Sequence, residues 1–347
     1  MEFSEALLGR LPCPLLCPGF SFRGFCDRIR GVGQRRVRGE TMHEVRILSK
    51  QTNGLRLQSG SLRRNVSAWM LMIPSLILFA FFVWGPLIDT VKMSFYDAKG
   101  IQITKFVGLK NYINFFKNRN FLKMFRNTLA ISSLNLFLGF PLPILLAILL
   151  NEIRNQKYKK TMQTLVYLPH FMSWVVVAGL TFFLLSVDIG VVNKILVAAG
   201  KEKVSYLTDP RLFWWLLFGQ STWREIGWGS IVYLAAISQI SQSLYEAAEM
   251  DGANKLQQIL HVTIPGILPT IIVMFIMRLG TVLDVGVEQV LLMSNSFVTD
   301  VSLTFDLYAY QQGTQQGNYS LSATVSVCKG LVGMVLVLLS NRAIKKT

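Results

Sequence analysis

Six apolar runs of the length a membrane helix needs recur along the chain, separated by polar segments. A hydrocarbon core about 30 Å thick takes roughly 20 helical residues to cross. The runs are Trp69–Ile88, Thr128–Leu150, Leu165–Val187, Leu212–Ile237, Pro265–Leu283 and Leu321–Ser340. Arg224 and Glu225 interrupt the fourth, yet its flanks LFWWLLF and IGWGSIVYLAAI are hard to place in water. The pattern predicts an all-α integral membrane fold with six transmembrane helices, built from residues 66–347. Composition agrees: 52% of the residues are hydrophobic and only 16% charged, too apolar for an ordinary soluble domain.

Basic residues set the orientation, because Lys and Arg beside short loops stay in the cytoplasm. The segment before the first run is rich in Arg, NEIRNQKYKK carries four cations, and the chain ends NRAIKKT. Six spans with both termini cytoplasmic satisfy all three. The loop after the first span holds eight Lys or Arg from Lys92 to Arg126 and opposes this orientation. It is long, however, and the last external loop, Asp284–Ser320, holds no Lys or Arg.

The net charge of +16 lies largely in these cytoplasmic flanks, where anionic membrane lipid is its natural partner. Nucleic acid is not expected, since no basic, aromatic-bearing folded domain remains outside the spans. Residues 1–65 lack periodicity and read as a disordered basic tail, with residues 1–41 open to being an over-extended start before Met42. Cys13, Cys17 and Cys26 lack a fourth ligand at zinc spacing and are read as a chance grouping, and Cys328 as a packing residue.

Between the fourth and fifth runs lies SLYEAAEMDGANKLQQILHVTIPGILP, Ser243–Pro269. Ser241 or Ser243 is placed to cap a short helix in which Ala247 and Ala248 let another backbone approach. Gly252 tolerates positive φ and so permits a sharp turn. Leu256, Ile259 and Leu260 then recur at helical spacing up to Pro265. The expected shape is helix, glycine hinge, helix, at the cytoplasmic surface.

EAAEMDGA at Glu246–Ala253, followed by VTIPGILP at Val262–Pro269, closely resembles the EAA signature of permease subunits of ATP-binding-cassette importers. Arg126–Leu180 and VEQVLLMSNSFVTDVS at Val287–Ser302 resemble the carbohydrate branch, in particular the LplB-like polysaccharide and oligosaccharide group. The resemblance runs from about residue 66 to the C-terminus. Ile264 stands where the family usually has Leu, and Val287 where an aromatic often precedes the Glu-Gln pair.

The resemblance implies a coupling helix that inserts into a groove of an ATPase subunit. Glu246 would contact the ATPase, Gly252 would form the bend, and Ala247, Ala248, Asp251 and Ala253 would shape the docking surface. It also implies a second permease subunit, two cytoplasmic ATPase subunits, an extracellular sugar-binding protein and a bacterial plasma-membrane location. The chain has no G-x-x-x-x-G-K-[ST] loop to cradle phosphates. ATP and Mg are therefore expected on the partner ATPase, with no cofactor, metal or catalytic residue in this chain.

Ionisable residues inside spans are costly and face a cavity or a partner. Arg224, Glu225 and Arg278 stand out, and with Ser221 they lie roughly where sugar permeases of this class form their substrate site. Two readings stand: the charges pair between helices, or they line the translocation path. Trp223, Trp228 and Tyr233 either stack on pyranose faces or, for the tryptophans, anchor at the interface. Two arginines in a path favour an anionic solute, which points to uronate-containing oligosaccharides. Asp284, Glu288, Asp300 and Asp306 make the last external loop acidic, either for solvation or for contact with the binding protein. Two competitors remain, a membrane enzyme acting on lipid-linked sugar and a channel or receptor subunit. Scattered histidines, His43, His170 and His261, speak against the first, and the docking segment against the second.

Overall fold

The computed structural model describes residues 66–99 and 102–346. The basic tail, with its three cysteines and Met42, lies outside the described residues. Contacts divide the chain into two units, residues 1–79 and 80–347. The described part of the first is helix α1, Val66–Phe79, which holds Pro74.

The second unit opens with a π-helical turn, Ala80–Trp84, and continues as α2, Gly85–Phe95. A short antiparallel hairpin follows, β1 Tyr96–Lys99 and β2 Gln102–Phe106. Then come α3 (Lys110–Phe116), α4 (Phe121–Ser133), α5 (Pro141–Glu152), α6 (Gln156–Tyr167), α7 (Trp174–Leu185) and α8 (Val191–Ala198). The central helix is α9, Pro210–Ile237, followed by α10 (Gln242–Met250), α11 (Lys255–Gln258) and α12 (Ile264–Gly280). Three short helices, α13 (Val287–Met293), α14 (Thr299–Ser302) and α15 (Phe305–Tyr310), lead to α16, Tyr319–Lys346.

Four helices are long and apolar enough to cross a membrane: Met72–Phe95, Phe121–Glu152, Lys255–Gly280 and Tyr319–Ala343. At most 22% of any of their apolar windows is buried inside the chain, so these faces are left for lipid or other protein. The expected third span differs from a straight rod. Gln156–Phe171 and Trp174–Leu185 form a bent pair at 102°, which raises the number of candidate spans to five. Pro169 sits in the 3-10 turn Leu168–Phe171, Met172 is extended, and the Ser173 hydroxyl accepts from the Val176 amide to start α7 afresh.

The fourth run forms one continuous helix of 28 residues, about 42 Å long, begun by an Asp209 cap on the Arg211 amide with Pro210 in the first turn. It is too polar to join the four. Helix α9 packs against α4, α5, α6, α12 and α14, and the faces packed on protein need not be apolar. Cores form at both its ends. Phe213 and Leu217 pack with Ile131, Ala178, Val290 and Met293, while Tyr233 and Ile237 pack with Ala147, Ile148 and Ile267.

The helix after the glycine hinge does not stop before Pro265. It runs on as Lys255–Gly280 through a π-helical turn at Ile259–Thr263, where the Ile264 amide reaches back to the Ile259 carbonyl. Shifting to that register one turn ahead of Pro265 accommodates the ring and the missing N–H without breaking the rod.

Candidate functional site

Three groups of residues carry the functional reading: the hinge at Gly252, the charges at the helix break, and the segment between α12 and α16. At the hinge, α10 ends in a Schellman turn. The Gly252 amide donates to the Glu249 carbonyl at 3.0 Å, and the Ala253 amide to the Ala248 carbonyl at 2.9 Å, with Gly252 at φ +78°. A Cβ on Gly252 would touch nothing, so any cost of substitution there is conformational and not steric. Asn254 then caps α11 in a reciprocal pair with Gln257. Ser241 occupies the N-cap of α10, but its hydroxyl pairs with that of Ser243 and not with helix amides.

Glu246, Ala247 and Asp251 are exposed, with Ala248 and Ala253 partly covered. Met250, one turn on from Glu246, is 88% exposed, a bare apolar side chain with no counterpart among the residues expected to dock. Two bonds tie this surface to the long helix behind it. The Tyr245 hydroxyl meets that of Thr263 at 2.9 Å, and buried Gln258 donates to the Ala253 carbonyl at 3.2 Å. These bonds join α10 and the hinge to the rod that continues into α12.

At the helix break, Arg224 lies with its side chain 19% exposed. It donates from Nε to the Met172 carbonyl at 3.0 Å and from its terminus to Glu225 Oε1 at 2.6 Å, and it covers the Trp174 ring at 4.7 Å. Glu225 Oε2 meets His170 Nδ1 at 3.0 Å. The His170 ring stacks flat on Trp228, centroids 4.5 Å apart, with Phe171 edge-on to both. Gly227 makes this packing possible, since a Cβ there would run into the Val166 carbonyl of α6. The charges thus pair on one helix and across to the broken one.

The other expected residues are placed separately. Ser221 donates to Asn135 Oδ1 at 3.1 Å, beside the π-helical turn Leu134–Gly139. Trp223 is half exposed, whereas Tyr233 is buried in the core at the C-terminal end of α9. Arg278 is exposed in the last turn of α12, and no contact joins it to Arg224 or Glu225 among the described residues. His170 and the Met172 carbonyl were missed in the sequence because neither has a motif. The only signal was Pro169 inside an apolar run.

The segment after α12 packs back onto the bundle. Buried Gln289 donates to the Leu217 carbonyl and to Gln220, Trp214 to the Val301 carbonyl, and Asn127 to the carbonyls of Asp300 and Leu303. Three of its four carboxylates are engaged internally. Asp300 accepts from Lys123 at 2.6 Å, and that bond holds its carboxyl below the ordinary range. Asp284 and Asp306 both pair with Lys329, a cation of the last helix whose side chain is 12% exposed and which hydropathy alone concealed.

Residues 139–346, well over half of the chain, match the family model of the binding-protein-dependent transport system inner membrane component. The chain belongs to this family. It is a sugar-transporting permease of the ATP-binding-cassette importers, a bacterial plasma-membrane transport subunit and not an enzyme.

The permease is 44% identical over 281 residues to the polygalacturonan/rhamnogalacturonan transport system permease protein YteP of Bacillus subtilis (strain 168), covering 80% of this chain and 87% of that one. It is 42% identical over 290 residues to protein LplB of the same organism, covering 82% and 91%. Among solved structures it matches a bacterial ABC transporter involved in import of the acidic polysaccharide alginate, with TM-score 0.75 and 37% identity, covering 82% of this chain and 97% of that one. A second structure of the alginate transporter contains an alginate pentasaccharide-bound periplasmic protein. A permease of this family works with such a substrate-binding protein.

Proposed function

We propose that this permease carries an acidic, uronate-containing oligosaccharide across the membrane by alternating access, and that its path passes Arg224. The observation that carries the reading is a shielded guanidinium set between Trp174 and the break of a bent helix. An arginine in such a place is costly unless it serves or is paired. The names of its relatives, a polygalacturonan permease and an alginate importer, supply the class of solute.

In this reading six helices span the membrane with both termini cytoplasmic, α9 among them and the bent pair counted once. Residues 66–347 make up the transmembrane domain, and residues 1–65 a separate tail. Helix α10 is the coupling helix, with Glu246, Ala247, Ala248, Asp251, Gly252 and Ala253 seated in a groove of one of two ATPase subunits, which hold the ATP and Mg. A second permease closes the path, to which Ser221, Trp223, Glu225, Trp228 and Arg278 also contribute.

The test is ATPase activity of the reconstituted complex with its binding protein, over a panel of oligosaccharides. Stimulation by oligouronates above neutral oligosaccharides is expected. Stimulation by neutral sugars alone would overturn the acidic-substrate reading.

A further inference from the structure

We infer that Glu225 is a resident stand-in for the substrate carboxylate, held so that an incoming uronate exchanges with it at Arg224, and that His170 is the positioning residue that keeps Glu225 in place during the exchange. This rests on the reading that the path runs past Arg224.

A guanidinium with its side chain only 19% exposed needs an anion at all times, because an unpaired buried charge is strongly destabilising. Within the chain, Glu225 Oε1 fills that need at 2.6 Å. Its other oxygen, Oε2, is taken by His170 Nδ1 at 3.0 Å. An ionised carboxylate only accepts, so the hydrogen of this bond sits on Nδ1. The two oxygens thus have separate anchors, and one can be released while the other holds.

Geometry favours release on the Arg224 side. Arg224 keeps two other fixed contacts, the Met172 carbonyl and the Trp174 face, so it stays in position when Glu225 leaves. His170 is clamped flat against Trp228, which keeps its Nδ1 aimed at Glu225. Glu225 is the most open of the three, 43% exposed against 19% for Arg224 and 24% for His170, and so is approachable from outside the cluster. The exposed faces of Trp228 and Phe171 next to it give a sugar ring apolar surface to lie on.

Selectivity follows. A carboxylate sugar replaces the bond that it breaks with one of the same kind. A neutral sugar offers only an uncharged hydroxyl in place of the carboxylate, which cannot replace the ion pair, and leaves the pair closed. Acidic solutes are thereby chosen by competition against an internal anion, without a permanently vacant cationic site.

The test is equilibrium binding of trigalacturonate and of its methyl ester to the full detergent-solubilised complex without binding protein, followed by tryptophan fluorescence. Wild type should bind the acid and not the ester. Glu225→Gln removes the competing anion and should tighten trigalacturonate about tenfold, or 1.4 kcal/mol. His170→Phe keeps a ring against Trp228 but removes the donor that holds the displaced Glu225, and should weaken trigalacturonate about tenfold with subunit assembly unchanged. Unchanged or weaker acid binding in Glu225→Gln would overturn the exchange while leaving the acidic-substrate reading in place. If wild type bound acid and ester alike, that underlying reading would fail first. Loss of assembly in both variants would mark the network as purely structural and overturn the exchange.

Discussion

Lys329 shows how much one side chain decides here. Its ammonium joins Asp284 and Asp306, and Asp306 also accepts from the Val285 amide at 2.9 Å. Removing the cation strands Asp306, whose side chain is only 17% exposed, whereas Asp284 at 61% is served by water. Lys329→Met should destabilise the chain by on the order of 3 kcal/mol, seen as a lower Tm, and adding Asp306→Leu should recover part of the loss. A wild-type Tm in the single variant would refute the pairing. Asp300 behaves differently because it is exposed. Its carboxyl is held low by Lys123, so the stabilisation is complete above the ordinary aspartate range and is lost as pH falls through the lowered value. The small Tm gap between wild type and Asp300→Asn should close in acid and shrink in high salt; a gap that widened in acid would be inconsistent with this pair.

At the level of elements, the hinge was readable before the structure and the helix break was not. Gly252 announced itself, since a polar helix followed by glycine needs positive φ to turn, and the Schellman bonds supply that turn. The rod beyond it continues through Pro265, where hydrophobic periodicity ends it, because periodicity does not register a π-helical turn. The third run looked like one span for a related reason: Pro169 breaks the helix while leaving the apolar count unchanged. His170, Met172 and Glu225 meet only because of that break, so the cluster lacked a linear signature. For α10 the expected outcome of Glu246→Lys is a permease that still inserts but retains less ATPase on purification, since a cation would face the basic ATPase groove that the EAA resemblance implies. Normal ATPase retention and transport would remove Glu246 from the docking surface.

For the whole molecule, hydropathy identified the membrane class and most of the helices, because the need to leave water dominates the folding of a chain this apolar. The fourth run, Leu212–Ile237, corresponds to α9 despite Arg224 and Glu225, which are held by contacts to the neighbouring elements. The eight cations of the first loop also find partial use in the fold: Lys123 and Arg126 both bond to Asp300, and Arg126 covers Trp214. Positive charge outside the membrane is therefore compatible with the proposed orientation. Single cysteines near Asn118 and Asn318 should react with an impermeant reagent from outside, and those near Gln156 and Asn254 only after the membrane is opened. External labelling at 254 would take α10 away from the ATPases.

The most direct measurement is uptake of a labelled oligouronate into proteoliposomes carrying the permease, its partner permease and the ATPases, with the binding protein outside and ATP inside. Accumulation is expected to require ATP and the binding protein and to fall when docking of α10 is weakened by Glu246→Lys. Uptake that proceeds equally without ATP, or accumulation of neutral oligosaccharides with the oligouronate excluded, would contradict it.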